Sequence, residues 1–138
     1  MTWTRLVELC RQHGMLAVYL LGSRAEDGLK TLAGETMARE GSDLDIGVVL
    51  DEHRPSDHLK LARLQIALEE LFVPLRVDLV PLDQVDALFQ FAALDGHRVA
   101  VIDVMQADRW ELAVMRRAAE LLPIQRSIER DLFGVATT

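Results

Sequence analysis

Apolar and polar positions alternate along this chain in blocks of changing period. Between Trp3 and Gln12, Leu6, Leu9, Cys10 and His13 fall at three- and four-residue steps, which predicts an amphipathic helix stopped at Gly14. Met15 to Leu21 is an unbroken apolar run ending at Gly22, the pattern of a strand buried on both faces. Residues 24–42 are polar and glycine-containing; they predict a loop with a short helix across Leu29–Arg39. From Asp43 to Leu50 the period changes to two, with Leu44, Ile46, Val48 and Leu50 on one side and Asp43, Asp45, Gly47 and Val49 on the other. A helix is expected from Pro55 or Ser56 to about Leu71, and a third strand over Leu75–Val80, closed by Pro81. Val85–Leu94 reads as a helix ended by Asp95-Gly96, and Val99–Val104 as a fourth strand. A last helix starts near Ala107 and carries Trp110, Val114, Ala118, Leu121 and Leu122 on one side. Pro123 is expected to kink or break it. This order predicts an α+β fold in one domain, residues 1–138, with a small mixed sheet and helices mainly on one face.

Composition narrows the classes. The single cysteine, Cys10, excludes an intrachain disulfide, so a reducing, cytoplasmic setting is expected. No apolar run approaches the roughly 20 residues that span a bilayer, and Met1-Thr2-Trp3-Thr4-Arg5 lacks the order of a signal peptide. The formal net charge of −7 argues against direct, sequence-blind nucleic-acid binding, which needs many cations on phosphates. His13, His53, His58 and His97 are scattered without the spacing of a zinc site.

Three carboxylates stand out. Asp43 and Asp45 share one face of a strand, and Asp78 sits inside Arg76-Val77-Asp78-Leu79-Val80. If the two strands pair, three acids converge. Unit charges ~5 Å apart repel by about 3 kcal/mol at an effective dielectric near 20. A divalent cation between them removes that repulsion, and hard oxygen donors select magnesium or manganese over zinc. Asp-x-Asp on a strand is also a common surface pattern. A second feature changes its weight: Gly22-Ser23-Arg24 follows the end of an apolar strand. There, glycine permits close backbone approach, serine and amides can bind phosphate oxygens, and arginine offers a forked cation.

With Gly22-Ser23-Arg24, Ser42-Asp43-Leu44-Asp45-Ile46 and Val77-Asp78-Leu79-Val80, the chain resembles a minimal nucleotidyltransferase (MNT) of the DNA polymerase β superfamily. The resemblance extends as a pattern over most of the chain and implies the nucleotidyltransferase fold of the polymerase β type. It implies two magnesium ions on Asp43, Asp45 and Asp78, with ATP as substrate and its phosphates held by Gly22, Ser23 and Arg24. The stretch from Arg24 to Ser42 is longer than the family's usual spacing, and Glu26-Asp27 replace the arginine–glycine often seen there. Small proteins of this kind resemble the antitoxins of HEPN/MNT (type VII) toxin–antitoxin pairs. That resemblance implies transfer of AMP from ATP to a tyrosine of a HEPN-type toxin, in a hetero-oligomer with the toxin or as a homo-oligomer. Two alternatives stand beside it. One is an antitoxin acting by direct binding, suggested by the wide apolar surface of the last helix. The other is a small-molecule nucleotidyltransferase, for which one short domain leaves little room to build an acceptor pocket.

Overall fold

The computed structural model describes residues 2–35, 40–51 and 58–134. The elements run α1 (Thr2–Gln12), β1 (Met15–Leu21), α2 (Ala25–Leu32), β2 (Leu44–Leu50), α3 (His58–Leu71), β3 (Val77–Pro81), a 3-10 turn (Leu82–Gln84), α4 (Ala87–Ala93), β4 (His97–Val101) and α5 (Val104–Phe133). The four strands form one mixed sheet in the order β3-β2-β1-β4. β1 is antiparallel to both β2 and β4, while β2 and β3 are parallel.

β1 is buried along its whole length, and it feeds two cores. Met15, Val18 and Leu20 pack with Leu6, Leu9 and Cys10 of α1, Leu32 of α2, and Leu64 and Leu68 of α3. Leu16, Ala17, Tyr19 and Leu21 pack on the opposite face with Leu82, Ala93 of α4 and Ala107 of α5. Leu16 and Ala17 share a side because the pairing register shifts between Met15 and Ala17. Three helices thus cover one face, while α4 and the first half of α5 cover the other. Burial pushes the Cys10 thiol up to about 12, so it is an inert core residue.

β3 and α4 each start two residues later than expected, at Val77 and Ala87, and three further elements depart more. The helix expected across Leu29–Arg39 instead begins at Ala25, directly after the Gly22-Ser23-Arg24 turn, and ends at Leu32; residues 36–39 lie outside the described ones. Glu26-Asp27-Gly28 has a loop's composition, yet Gly28 faces inward, where a Cβ would sit 2.9 Å from Leu20 and 3.1 Å from Leu44. Close helix–sheet packing overrides glycine's poor helix propensity there. The fourth strand starts two residues early, at His97, and ends at Val101, because Asp103 caps α5 by accepting from the Gln106 amide at 3.2 Å. Finally, α5 is not broken at Pro123 but runs on to Phe133. The helical stretches on either side are long enough to absorb one missing amide bond. The start expected for α3 at Pro55 or Ser56 falls outside the described residues.

Candidate active site

The site lies along one edge of the sheet, where β1 ends and β2 and β3 begin. Gly22 leaves β1 with φ +72°, a conformation that disfavours any side chain. A Cβ there would also come within 2.7 Å of Asp45 Oδ2. The turn closes when the Ala25 amide donates to the Gly22 carbonyl at 3.3 Å, and α2 begins immediately. Free amides at a helix start attract anions. The acids of the first turn have partners: Asp27 accepts from Arg24 Nε at 2.7 Å, and Glu26 lies 3.3 Å from His97 Nε2.

Strand register places the carboxylates. The parallel pairing sets Leu44 beside Val77 and Asp45 beside Asp78. Asp45 is half-buried and Asp78 exposed. The Asp45 carboxyl is raised above its ordinary pKa, first by burial, then by the Asp78 charge and a hydrogen bond with it, and last by Asp43. Asp43 precedes β2 and lies 3.3 Å from Arg76 Nε, in a solvent-exposed ion pair. So Asp45 and Asp78 stand together, whereas Asp43 is near but held by Arg76. Among the described residues, no three acidic, histidine or cysteine side chains already surround a single point.

Ser23 is exposed at the turn, its Oγ 3.2 Å from Ser42 Oγ. Arg24 is placed differently from the phosphate-facing expectation. Its side chain is only 11% exposed, and Nη1 donates to the carbonyls of Glu40 (3.1 Å) and Ser42 (3.0 Å). Gly41 lies beneath it with φ +120°, where a Cβ would be 2.8 Å from Nη1. The guanidinium therefore ties the Gly-Ser turn to the segment that delivers Asp43 and Asp45.

A cavity of about 460 Å³ adjoins Gly22 and Asp45, lined by Leu21, Ala25, Phe89 and Ala92, with Glu26 and His97 among its polar groups. The sequence pattern did not reveal it. The signal was the β1–β4 pairing, which sets His97 opposite Leu20 and brings α4 to the turn.

The family model for polymerase β nucleotidyltransferases matches residues 5–103, which include the turn and all three aspartates. The chain belongs to the polymerase β nucleotidyltransferase family. Within this nucleotidyltransferase family, a solved structure described as a minimal nucleotidyltransferase is 34% identical, over 74% of this chain and 87% of its own, with a TM-score of 0.51. A toxin–antitoxin structure with AMP-PNP gives a TM-score of 0.67 at 18% identity, covering 96% of this chain and 98% of that one. A complex of the tri-AMPylated Shewanella oneidensis HEPN toxin with its MNT antitoxin gives 0.64 at 17%, covering 95% of each chain. At these identities the last two speak for the fold. No curated protein matches the chain.

Proposed function

We propose that this nucleotidyltransferase is the MNT antitoxin of a HEPN/MNT pair and transfers AMP from ATP to a tyrosine of its HEPN toxin. The observation that carries the reading is the β2–β3 register, which sets Asp45 beside Asp78 at the mouth of the Gly22-Ser23 turn. Two neighbouring carboxylates, one with its proton affinity raised by burial and then by the other, form a hard-oxygen donor set suited to magnesium. Asp43 would complete the set on leaving Arg76, an exposed pair of small net worth. Bound there, magnesium would supply charge neutralisation at the α-phosphate and the leaving group. The residues of the chain do the rest. Ser23 Oγ and the first amides of α2 bind the β- and γ-phosphates, so pyrophosphate leaves in line with the incoming oxygen. The cavity beside Phe89 supports a nucleoside substrate, since it offers an apolar wall next to the phosphate turn. Asp78, the more exposed acid, accepts the phenolic proton as the tyrosyl oxygen bonds to the α-phosphorus and the bond to the β-phosphate oxygen breaks. Catalysis is then positioning and charge stabilisation.

Incubation of the protein with ATP, magnesium and its co-expressed HEPN-type neighbour is expected to add AMP to the toxin, read by intact mass. Asp45→Asn and Asp78→Asn are each expected to lower that transfer by well over the roughly 10–100-fold that loss of a supporting residue costs at a metal site. Unchanged transfer by both folded variants would refute the assignment. A second reading, neutralisation by contact alone, is favoured by the exposed apolar side chains of α5. It predicts that Asp45→Asn still rescues cells from the toxin.

A further inference from the structure

From Ala119 to Leu132 every residue of α5 is exposed except Leu122, which is half-buried. This half of the helix is not covered by the domain. Its apolar residues are nevertheless ordered. Leu121, Ile124, Ile128 and Leu132 follow one another at steps of three, four and four, so they line one side. That side continues the one that buries Ala107, Val114 and Ala118 in the first half. The core-facing stripe thus runs on past the core, with exposures of 40% at Leu121 and 70% at Leu132.

The charges beside the stripe say what covers it. Glu120 and Asp131 each precede a stripe residue by one position and lie along one edge; Glu129 follows Ile128 by one and lies along the other. Arg126, Arg130 and Pro123 fall two positions after stripe residues, on the far side of the helix. The stripe is apolar in the middle and acidic on both edges. A second copy of this helix would set acid against acid on both sides, and an anionic lipid surface would be repelled by the same groups. We infer that the second half of α5 is a docking surface for a partner helix whose own apolar stripe is edged by Lys and Arg. Such a helix buries the four aliphatic side chains and pairs its cations with Glu120, Glu129 and Asp131. No residue of this half of α5 lines the cavity beside Gly22 and Asp45. The docking surface rests on the proposed function only for the natural partner used to test it.

The test has two arms on the full-length protein. In the first, binding to the co-expressed HEPN-type neighbour is measured by titration calorimetry for the wild type, Leu121→Glu/Ile128→Glu and Glu120→Lys/Asp131→Lys. Each double variant is expected to weaken binding at least tenfold, with the helical circular-dichroism signal and thermal midpoint unchanged. Retained binding by both double variants overturns the docking surface while leaving AMP transfer standing. Failure of the wild type to bind sinks the proposed partner instead, and the second arm then decides. There, two synthetic helical peptides share one leucine stripe and carry either Lys or Glu along its edges. The Lys-edged peptide is expected to bind and to lose affinity as salt rises. Equal binding of both peptides, binding of neither, or a wild-type dimer that Leu121→Glu/Ile128→Glu dissolves in sedimentation would each overturn the inference.

Discussion

Asp45, placed in the metal site by the proposed function, carries a stability cost in the folded chain. Its folded pKa lies above its unfolded value, so between the two the native state holds more protons and stability falls as pH rises. The destabilisation is complete above the folded pKa and disappears at pH below the unfolded one. Asp45→Asn should therefore raise the thermal midpoint of the metal-free protein at neutral pH, by roughly one or two degrees because solvent screens part of the repulsion. Magnesium should raise the midpoint of the wild type and have less effect on the variant. A scanning-calorimetry series over pH with and without magnesium checks both signs. Arg24→Lys tests the other residue-scale reading. A lysine cannot reproduce the fork that joins Asp27 to the Glu40 and Ser42 carbonyls. It should weaken manganese binding even without nucleotide, followed by electron paramagnetic resonance. A phosphate-binding role would instead raise KM for ATP and leave metal affinity alone. The types and spacing of these residues were readable in the sequence because Asp-x-Asp on a strand and Gly-Ser after one are local patterns. The partners of Arg24 were not, because they lie 16 and 18 residues on, across a segment with no periodicity.

At the scale of elements, the strands were legible wherever their apolar runs were bounded by turn residues. All four were found, with ends displaced by one to three residues where caps and not periodicity set the boundary. α2 was misplaced because its inward glycine mimics a loop, and the length of α5 was hidden behind Pro123. Proline inside a helix costs about 3 kcal/mol relative to alanine. Pro123→Ala should therefore stabilise the helix, but only locally, since the residues after it contribute little to the core. Amide exchange over residues 124–132 is expected to slow by one to two orders of magnitude or so, with the global melting midpoint nearly unchanged. A large rise in that midpoint would mean the second half of α5 is part of the cooperative unit.

In the whole molecule, α5 is anchored by a polar cluster that no local pattern announces. Tyr19 of β1 donates its hydroxyl to Glu111 Oε1 at 2.6 Å, and Arg98 of β4 lies 3.4 Å from Glu111 and 3.0 Å from Asp108. The Tyr19 ring packs near Trp110, with centroids 6.0 Å apart. Burial, and then Glu111, raise the Tyr19 pKa, so the phenol stays protonated and donates. Tyr19→Phe leaves Glu111 with one partner fewer and should cost about 1–2 kcal/mol, seen as a lower urea midpoint with an unchanged slope. The apolar run of β1 disclosed burial, but one tyrosine within it gave no sign of a partner 92 residues away.

The register that sets Asp45 beside Asp78 joins strands separated by the whole of α3. The Gly22-Ser23-Arg24 turn is closed by a bond three residues long and can form early in synthesis, but the acidic pair cannot. A nascent chain brings Asp45 and Asp78 together only after residue 78 has emerged and its strand has zipped alongside the earlier one. Synthesis thus orders assembly: the glycine–serine bend can be in place first, and the two carboxylates meet only once β3 has been made.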